Sequence, residues 1–331
     1  MRRVLIAALA TAALLLIAGC GDDDDGGSAG GSGGGDAAKV TKVKVGVLPI
    51  SNVAPLYVGM KQGFFKEEGI EIEPALAQGG SELVTALVSG DDQFAFLGWV
   101  PVIVGKAKGL PIRAIANADN GAETPEKEWQ IIMSAKSSDI RSPKDLEGKT
   151  IALNALRGVG EVTVKAAMEA EGADPDSVKF IEIPFPEMPA ALEKGRVDAI
   201  WAPEPFLTQV LGAGGHEVLP VYQSLGPLFP NGAYATTDKY LAENKDVAEG
   251  FARAINKGLK YATDNPDAAR KTITTFTKIP PDVVDKIRLP LWPQEIDKQQ
   301  LTDLIGYTQK YGVIEDTFEV DDMIWEGATT K

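Results

Sequence analysis

Two well-separated stretches read almost alike: Ala86-Leu87-Val88-Ser89-Gly90-Asp91-Asp92-Gln93-Phe94-Ala95-Phe96 and Ala191-Leu192-Glu193-Lys194-Gly195-Arg196-Val197-Asp198-Ala199-Ile200-Trp201. Each ends a helix with Ala-Leu-x-x-Gly and enters an apolar strand after three more residues. Glycine at that place supplies the left-handed conformation that stops a helix. Upstream, Ile70–Pro74 and Val178–Pro184 read as strands, each preceded by a glycine, Gly69 and Gly172. Helices from about Ser81 and Met188 link them to the quoted stretches. The chain therefore holds two βαβ units, and each predicts a parallel sheet edge.

Each unit has a further strand and helix in front of it. For the first these are Val43–Leu48 and a helix near Pro55–Gln62; for the second, Thr150–Asn154 and a helix near Glu161–Glu171. Strands alternating with helices predict sheets covered on both faces. Two such sets predict two α/β lobes, the second opening after Glu128–Lys136 and the loop Ser142–Lys149. Val218–Tyr222 and Gly232–Thr236 read as strands, the latter crossing back. Beyond lie helices. Asp246–Asn265 carries Val247, Phe251, Ala254, Ile255, Leu259 and Ala262 at helical period, Pro266 starts the next helix, and a last one spans about Lys298–Tyr311.

The N-terminal segment has a different composition. Arg2 and Arg3 precede an apolar run, Val4–Ala18, and then Gly19-Cys20. A basic start, a short apolar core and small residues before a cut site read as a secretory signal over residues 1–19. The run is too short for a membrane span, which needs about 20 apolar residues. Gly21–Asp36 is Gly, Ser, Ala and Asp, which cannot bury enough surface to order itself. Residues 20–38 are thus expected to be a flexible tether.

Composition excludes several classes. Formal net charge is −14, and an acidic surface argues against nucleic acid and against anionic lipid. Cys20 is the only cysteine and His216 the only histidine. Disulfides, thiol nucleophiles and Cys- or His-cluster metal sites are therefore not expected, and neither is a cofactor. A serine triad would have to use His216, which reads as an exposed turn residue after Gly214-Gly215.

Several of these segments together carry a resemblance: Pro49–Pro55 leading to Gly63-Phe64-Phe65, then Gln78-Gly79-Gly80-Ser81, Ser142–Lys149 and Trp201-Ala202-Pro203-Glu204-Pro205-Phe206. Their order resembles the solute-binding proteins of bacterial ABC importers, in the nitrate/sulfonate/taurine group. That group shares its fold with the pyrimidine-precursor synthase of thiamine biosynthesis. Ile17-Ala18-Gly19-Cys20 resembles a lipobox, whose cysteine is lipidated.

The resemblance implies an α/β, two-lobed, type II periplasmic-binding-protein-like fold with two crossover segments and a ligand cleft between the lobes. Residues 39–132 with 231–331 would form one lobe and 133–230 the other. The expected protein is a non-enzymatic, monomeric lipoprotein, anchored at the outer face of the cytoplasmic membrane or in the periplasm. It would pass a small anion or a pyrimidine-like solute to a permease and its ATPase subunit. An extracellular enzyme or sensor on the same fold is the alternative. The synthase branch uses a histidine and a cysteine-rich motif; past Cys20 this chain has no cysteine and only one histidine, His216.

In open α/β sheets ligands bind beyond the C-terminal strand ends. That rule selects Ser51, Asn52, Gly80, Ser81, Gly98 and Trp99 in the first lobe, Asn154, Arg157, Gly158, Trp201 and Glu204 in the second, and Asn231 at the return crossing. Gly79-Gly80-Ser81 and Gly158-Val159-Gly160 either offer backbone N–H groups to an anion or simply cap helices. The second is not a Walker A loop, since no Gly-Lys-Ser/Thr follows. Arg157 either pairs with a carboxylate or sulfonate or makes a surface ion pair. Trp99 and Trp201, read as matching positions of the two repeats, either sandwich the solute or pack in the core. Ser51 and Asn52 either donate to it or cap the helix at Pro55. Glu204 either selects an N–H-bearing solute or supplies a helix with an acidic first turn; its flanking prolines favour the helix.

Overall fold

The computed structural model describes residues 40–331. The expected signal and tether, with Cys20, lie outside the described residues. Thr41-Lys42-Val43-Lys44-Val45 alternates, and β1 (Thr41–Val47) buries Val43, Val45 and Val47. Helix α1 (Ala54–Gln62) starts with Pro55 in its first turn; α2 (Phe64–Glu67) follows, and β2 (Ile70–Leu76) pairs parallel to β1. Helix α3 (Gly80–Ser89) stops at Gly90, whose φ of 85° is the left-handed conformation read from the sequence. Then come β3 (Phe94–Gly98), α4 (Trp99–Ala107) and β4 (Ile112–Asn120).

The second set repeats the first. It comprises β5 (Gln130–Ser134), β6 (Thr150–Leu153), α5 (Val159–Ala170), β7 (Lys179–Glu182), α6 (Met188–Glu193), β8 (Ala199–Pro203), α7 (Phe206–Gly212) and β9 (His216–Pro220). Gly195 follows α6 at φ 65°. His216 opens β9 half-buried, with Nε2 3.2 Å from the Lys136 carbonyl, rather than sitting in an exposed turn.

Strand β10 (Pro230–Thr237) returns, followed by α8 (Asp238–Glu243), α9 (Lys245–Asp264), α10 (Pro266–Ile273), α11 (Pro281–Val284) and α12 (Lys298–Lys310). The apolar stripe of α9 packs on the first sheet. Phe251 stacks on Phe94 at 4.0 Å, and Arg253 and Lys257 pair with Glu68 and Glu67 at 2.8 Å.

The two sheets have strand orders β2-β1-β3-β10-β4 and β7-β6-β8-β5-β9. Both are mixed rather than parallel. β10 runs antiparallel to β3 and β4, and β5 antiparallel to β8 and β9. The reason is connectivity. A strand that arrives over a crossover, residues 121–129 or 221–229, enters its sheet from the end where the cleft lies and so runs against its neighbours. β4 carries no alternation to reveal it: Ile112-Arg113-Ala114-Ile115-Ala116-Asn117-Ala118-Asp119-Asn120 buries apolar and polar residues alike.

Candidate functional site

The C-terminal ends of β1, β3, β6 and β8 face one another across the lobes and enclose a cavity. Its wall is Leu48, Ile50, Leu83, Phe96, Leu97, Pro101, Val159, Phe185 and Trp201, with the amides Asn52, Gln130, Asn154 and Asn231 and the helix starts Gly80, Gly98 and Gly158. The cavity volume is about 50 Å³, in a measure where one water needs at least about 10–15 Å³. The lobes touch around it: a Cβ on Gly98 would collide with Val159, and one on Gly80 would lie 3.3 Å from Ala155 Cβ. The cleft is closed.

Three helices start at this wall with glycine N-caps, Gly79 for α3, Gly98 for α4 and Gly158 for α5, and none has a side-chain cap bond. Glycine lets the opposite lobe approach the starts of α3 and α4, whereas Gly158 makes room for Ala155 of its own lobe. Gly160 serves Trp201 in the same way, since a Cβ there would lie 2.8 Å from the indole Cε3. Carboxylates already sit in the first turns of two of these helices, Glu82 in α3 and Glu161 in α5; Glu161 accepts from the Arg157 N–H at 2.7 Å.

Behind the amides lies a buried network. Asp119, at the end of β4, is fully enclosed, and its Oδ2 accepts from Asn52 Nδ2 at 2.6 Å and Asn231 Nδ2 at 2.8 Å. The Tyr222 hydroxyl bonds Asn231 Oδ1 and lies 3.3 Å from Gln130 Oε1. Burial pushes the Asp119 carboxyl up to about 7, against the two amide bonds that lower it. Three wall residues carry a buried polar atom without a partner: Asn52 Oδ1, Gln130 Nε2 and Trp201 Nε1.

Of the residues selected from sequence, the structure brings Asn52, Gly80, Gly98, Asn154, Gly158, Trp201 and Asn231 to the cavity wall. Five lie elsewhere. Ser51 is buried behind the wall, and its N–H donates to the Glu204 carbonyl. Ser81 is exposed on α3. Trp99 is fully buried in the first turn of α4. Arg157, at φ 55°, turns outward, and its guanidinium donates to the Val313 carbonyl at 2.7 Å.

Glu204 is fully buried at the crossing between the lobes. It accepts from the Thr208 N–H at 3.1 Å, the Thr208 hydroxyl at 2.8 Å and the Arg288 N–H at 3.0 Å. Burial raises its carboxyl to about 7, opposed by those bonds. It caps the start of α7 and ties down the segment after α11.

Register corrects the pairing of the two tryptophans. β1 pairs Val45 with Phe94 and Gly46 with Ala95, while β6 pairs Ile151 with Ala199 and Ala152 with Ile200. The counterpart of Trp201 is therefore Phe96, and both rings are in the wall. Trp99 lies past the strand end, where the helix turns its side chain into the core. Phe96, Phe185, Gln130, Asp119 and Tyr222 were not selected from sequence. Counting from Gly90 and Gly195 would have found Phe96; nothing local marks the others.

A family model described as NMT1/THI5 like matches residues 50–269. Among similar proteins, the formylaminopyrimidine-binding protein of Halalkalibacterium halodurans is 26% identical over 276 residues, 82% of this chain and 78% of that protein. The taurine-binding periplasmic protein of Escherichia coli is 28% identical over 246 residues, 73% of this chain and 74% of its own. A solved structure of the ligand-binding component of an ABC-type import system from Staphylococcus aureus superposes with a TM-score of 0.75 at 18% identity, over 86% of this chain and 96% of that one. Most matched relatives are named as binding proteins, and synthases of a pyrimidine phosphate also match. The fold is thus the two-lobed periplasmic-binding-protein fold, and the chain belongs to the NMT1/THI5-like family.

Proposed function

We propose that this protein is the solute-binding component of an ABC importer, tethered outside the cytoplasmic membrane through a lipidated Cys20. It captures a small solute, closes on it, and presents it to a permease driven by a separate ATPase subunit. The observation that carries this reading is the enclosed cavity between the two lobes, whose wall holds rings and amides but no titratable or nucleophilic side chain. Binding sites are mostly apolar with a few placed polar groups, as here. An enzyme on this fold would need an acid, a base or a nucleophile at the cavity, and the described wall offers none. The lobes that close are residues 39–132 with 231–331 and residues 133–230. Sheet membership supports two such lobes but shifts their boundaries, since β5 (Gln130–Ser134) lies wholly in the second sheet and β10 starts at Pro230 in the first; α12 reaches across through Lys310 and Glu169, paired at 2.7 Å.

For the solute, the wall favours an uncharged, pyrimidine-like ring over a small anion. No Lys, Arg or His lines the cavity. Glu82 and Glu161 already occupy the positive ends of α3 and α5. The anion reading retains the start of α4, which has no acid in its first turn.

Purifying the protein from its own cells and identifying released small molecules by mass spectrometry tests the capture reading. A co-purified solute that lowers the radius of gyration when added back to stripped protein is expected. A protein that carries nothing and does not close would refute it. For the anchor, Cys20→Ala should move the protein from the membrane fraction to the fluid outside it, and unchanged partition would refute the tether.

A further inference from the structure

Arg157 faces away from the cavity, yet it belongs to the loop that closes it. That loop follows β6, and its Asn154, Ala155 and Gly158 line the cavity together with Val159, the first residue of α5. Within it Arg157 takes φ 55°, a left-handed conformation uncommon for any residue but glycine. Such a conformation persists where the surrounding contacts hold it. Two do so here. The Arg157 N–H donates to Glu161 Oε2 at 2.7 Å, which fixes the turn within the second lobe. The guanidinium Nη2 donates to the Val313 carbonyl at 2.7 Å and to the Gly312 carbonyl at 3.4 Å.

Val313 belongs to the other lobe. It follows α12, and its N–H donates back to the Thr308 carbonyl at 3.0 Å. Helix α12 packs on α4, and the chain beyond it returns to the first sheet. There the Trp325 N–H donates to the Ala114 carbonyl of β4 at 2.9 Å, and Lys106 of α4 pairs with Asp322 at 3.7 Å. Arg157 thus crosses from the cavity loop of the second lobe to the frame of the first. The last turn of α5 makes a second crossing to the same segment. Glu169 accepts there from Lys310 Nζ at 2.7 Å and from the Tyr311 hydroxyl. We infer that Arg157 is a positioning residue for closure: a clasp that holds the cavity loop and the start of α5 against the first lobe, and so sets how long a captured solute stays. A planar guanidinium can reach two carbonyls through its fork, where a lysine ammonium is a single point of charge. Solvent screens the contact, because the Arg157 side chain is exposed. The clasp therefore shifts the balance between closed and open lobes by about three- to tenfold, the value of one hydrogen bond.

The test measures lobe separation directly and needs no solute. Nitroxides are attached at Thr85→Cys on α3 and Ala190→Cys on α6, exposed positions one on each lobe, in the Cys20→Ala chain. Pulsed electron spin resonance then gives the distance distribution. With arginine at 157, a short-distance closed population should stand beside a longer, open one. Arg157→Gly keeps the left-handed turn, which glycine adopts freely, and removes the clasp. Its closed-to-open ratio should fall about three- to tenfold, and Arg157→Lys should recover part of the loss. Arg253→Gln, which breaks a pair with Glu68 wholly inside the first lobe, should leave the ratio unchanged. An unchanged ratio in Arg157→Gly, whatever its Tm, would make Arg157 a merely structural residue of its loop and overturn the inference. Equal losses in Arg157→Gly and Arg253→Gln would overturn it too, as would an arginine-bearing protein with no closed population. Solute capture is decided separately: a protein that closes through Arg157 but carries no co-purified solute would sink the capture reading and leave the clasp.

Discussion

Trp201 and Trp99 separate ligand contact from packing. The Trp201 indole lies in the cavity wall beside Phe185, 6.0 Å between centroids, with its Nε1 unpaired. Trp201→Phe keeps an apolar ring and removes the donor; affinity should fall by about 0.5–1.5 kcal/mol if the indole bonds the solute. Trp99→Phe should leave affinity within about threefold and lower Tm, since only packing changes. Calorimetry and thermal melts on both variants check this, and equal affinities for wild type and Trp201→Phe would remove the indole from the contact. Glu204 belongs with Trp99. Its three accepted bonds all serve the backbone and Thr208, so Glu204→Gln should lower Tm and keep affinity within about threefold, having lost a bond worth about 1 kcal/mol of stability. A large affinity loss with unaltered melting would assign Glu204 to the solute. The sequence placed these residues near strand ends correctly, but whether a side chain points to the cleft depends on its register against a partner strand, and that register is a tertiary fact.

At the scale of elements, the glycine-capped helix starts decide how far the lobes can close. Gly98 ends β3 in one lobe and meets Val159, the first residue of α5, from the other. Gly98→Ala adds one methyl at this contact without disturbing an unusual backbone angle, since its φ is −63°. The unliganded protein should therefore melt as before, while affinity falls by about 1–3 kcal/mol, the usual cost of overpacking a fitted contact. Scattering on the ligand-saturated variant should show a larger radius of gyration than wild type. A fully closed, full-affinity variant would show that this contact does not limit closure. The helices and most strands were legible because Ala-Leu-x-x-Gly, alternating valines and the α9 stripe are local signals. β4 was not, because a strand buried on both faces and studded with Asn and Asp has no period to read.

The whole molecule gathers three buried carboxyls around its crossings: Asp119, Glu128 and Glu204, each pushed up to about 7 chiefly by burial. An acid raised in the folded state binds more protons there than when unfolded. Its contribution to stability is complete below the unfolded value near 4 and is lost as pH rises through about 7. Exposed acids held low by hydrogen bonds, Glu126, Asp145 and Glu169, act in the opposite sense only below their ordinary range. Tm should therefore be higher at pH 5.5 than at pH 8.5, at about 2–4 °C per kcal/mol for a chain of this size. Asp119→Asn should flatten part of the slope, and a Tm that rises steadily to pH 8.5 would refute the assignment. What the sequence by itself determined is what short-range physics encodes: two repeated α/β units, glycine stops, strand ends where a solute can sit, and, past Cys20, no cysteine and a single histidine. Only the tertiary structure decided which side chains meet across the cleft. Asp119, Tyr222 and Gln130 come from β4, the segment after β9, and β5, and they converge solely because two crossovers bring both sheets to one buried seam, where an unpaired polar group is too costly to leave to chance.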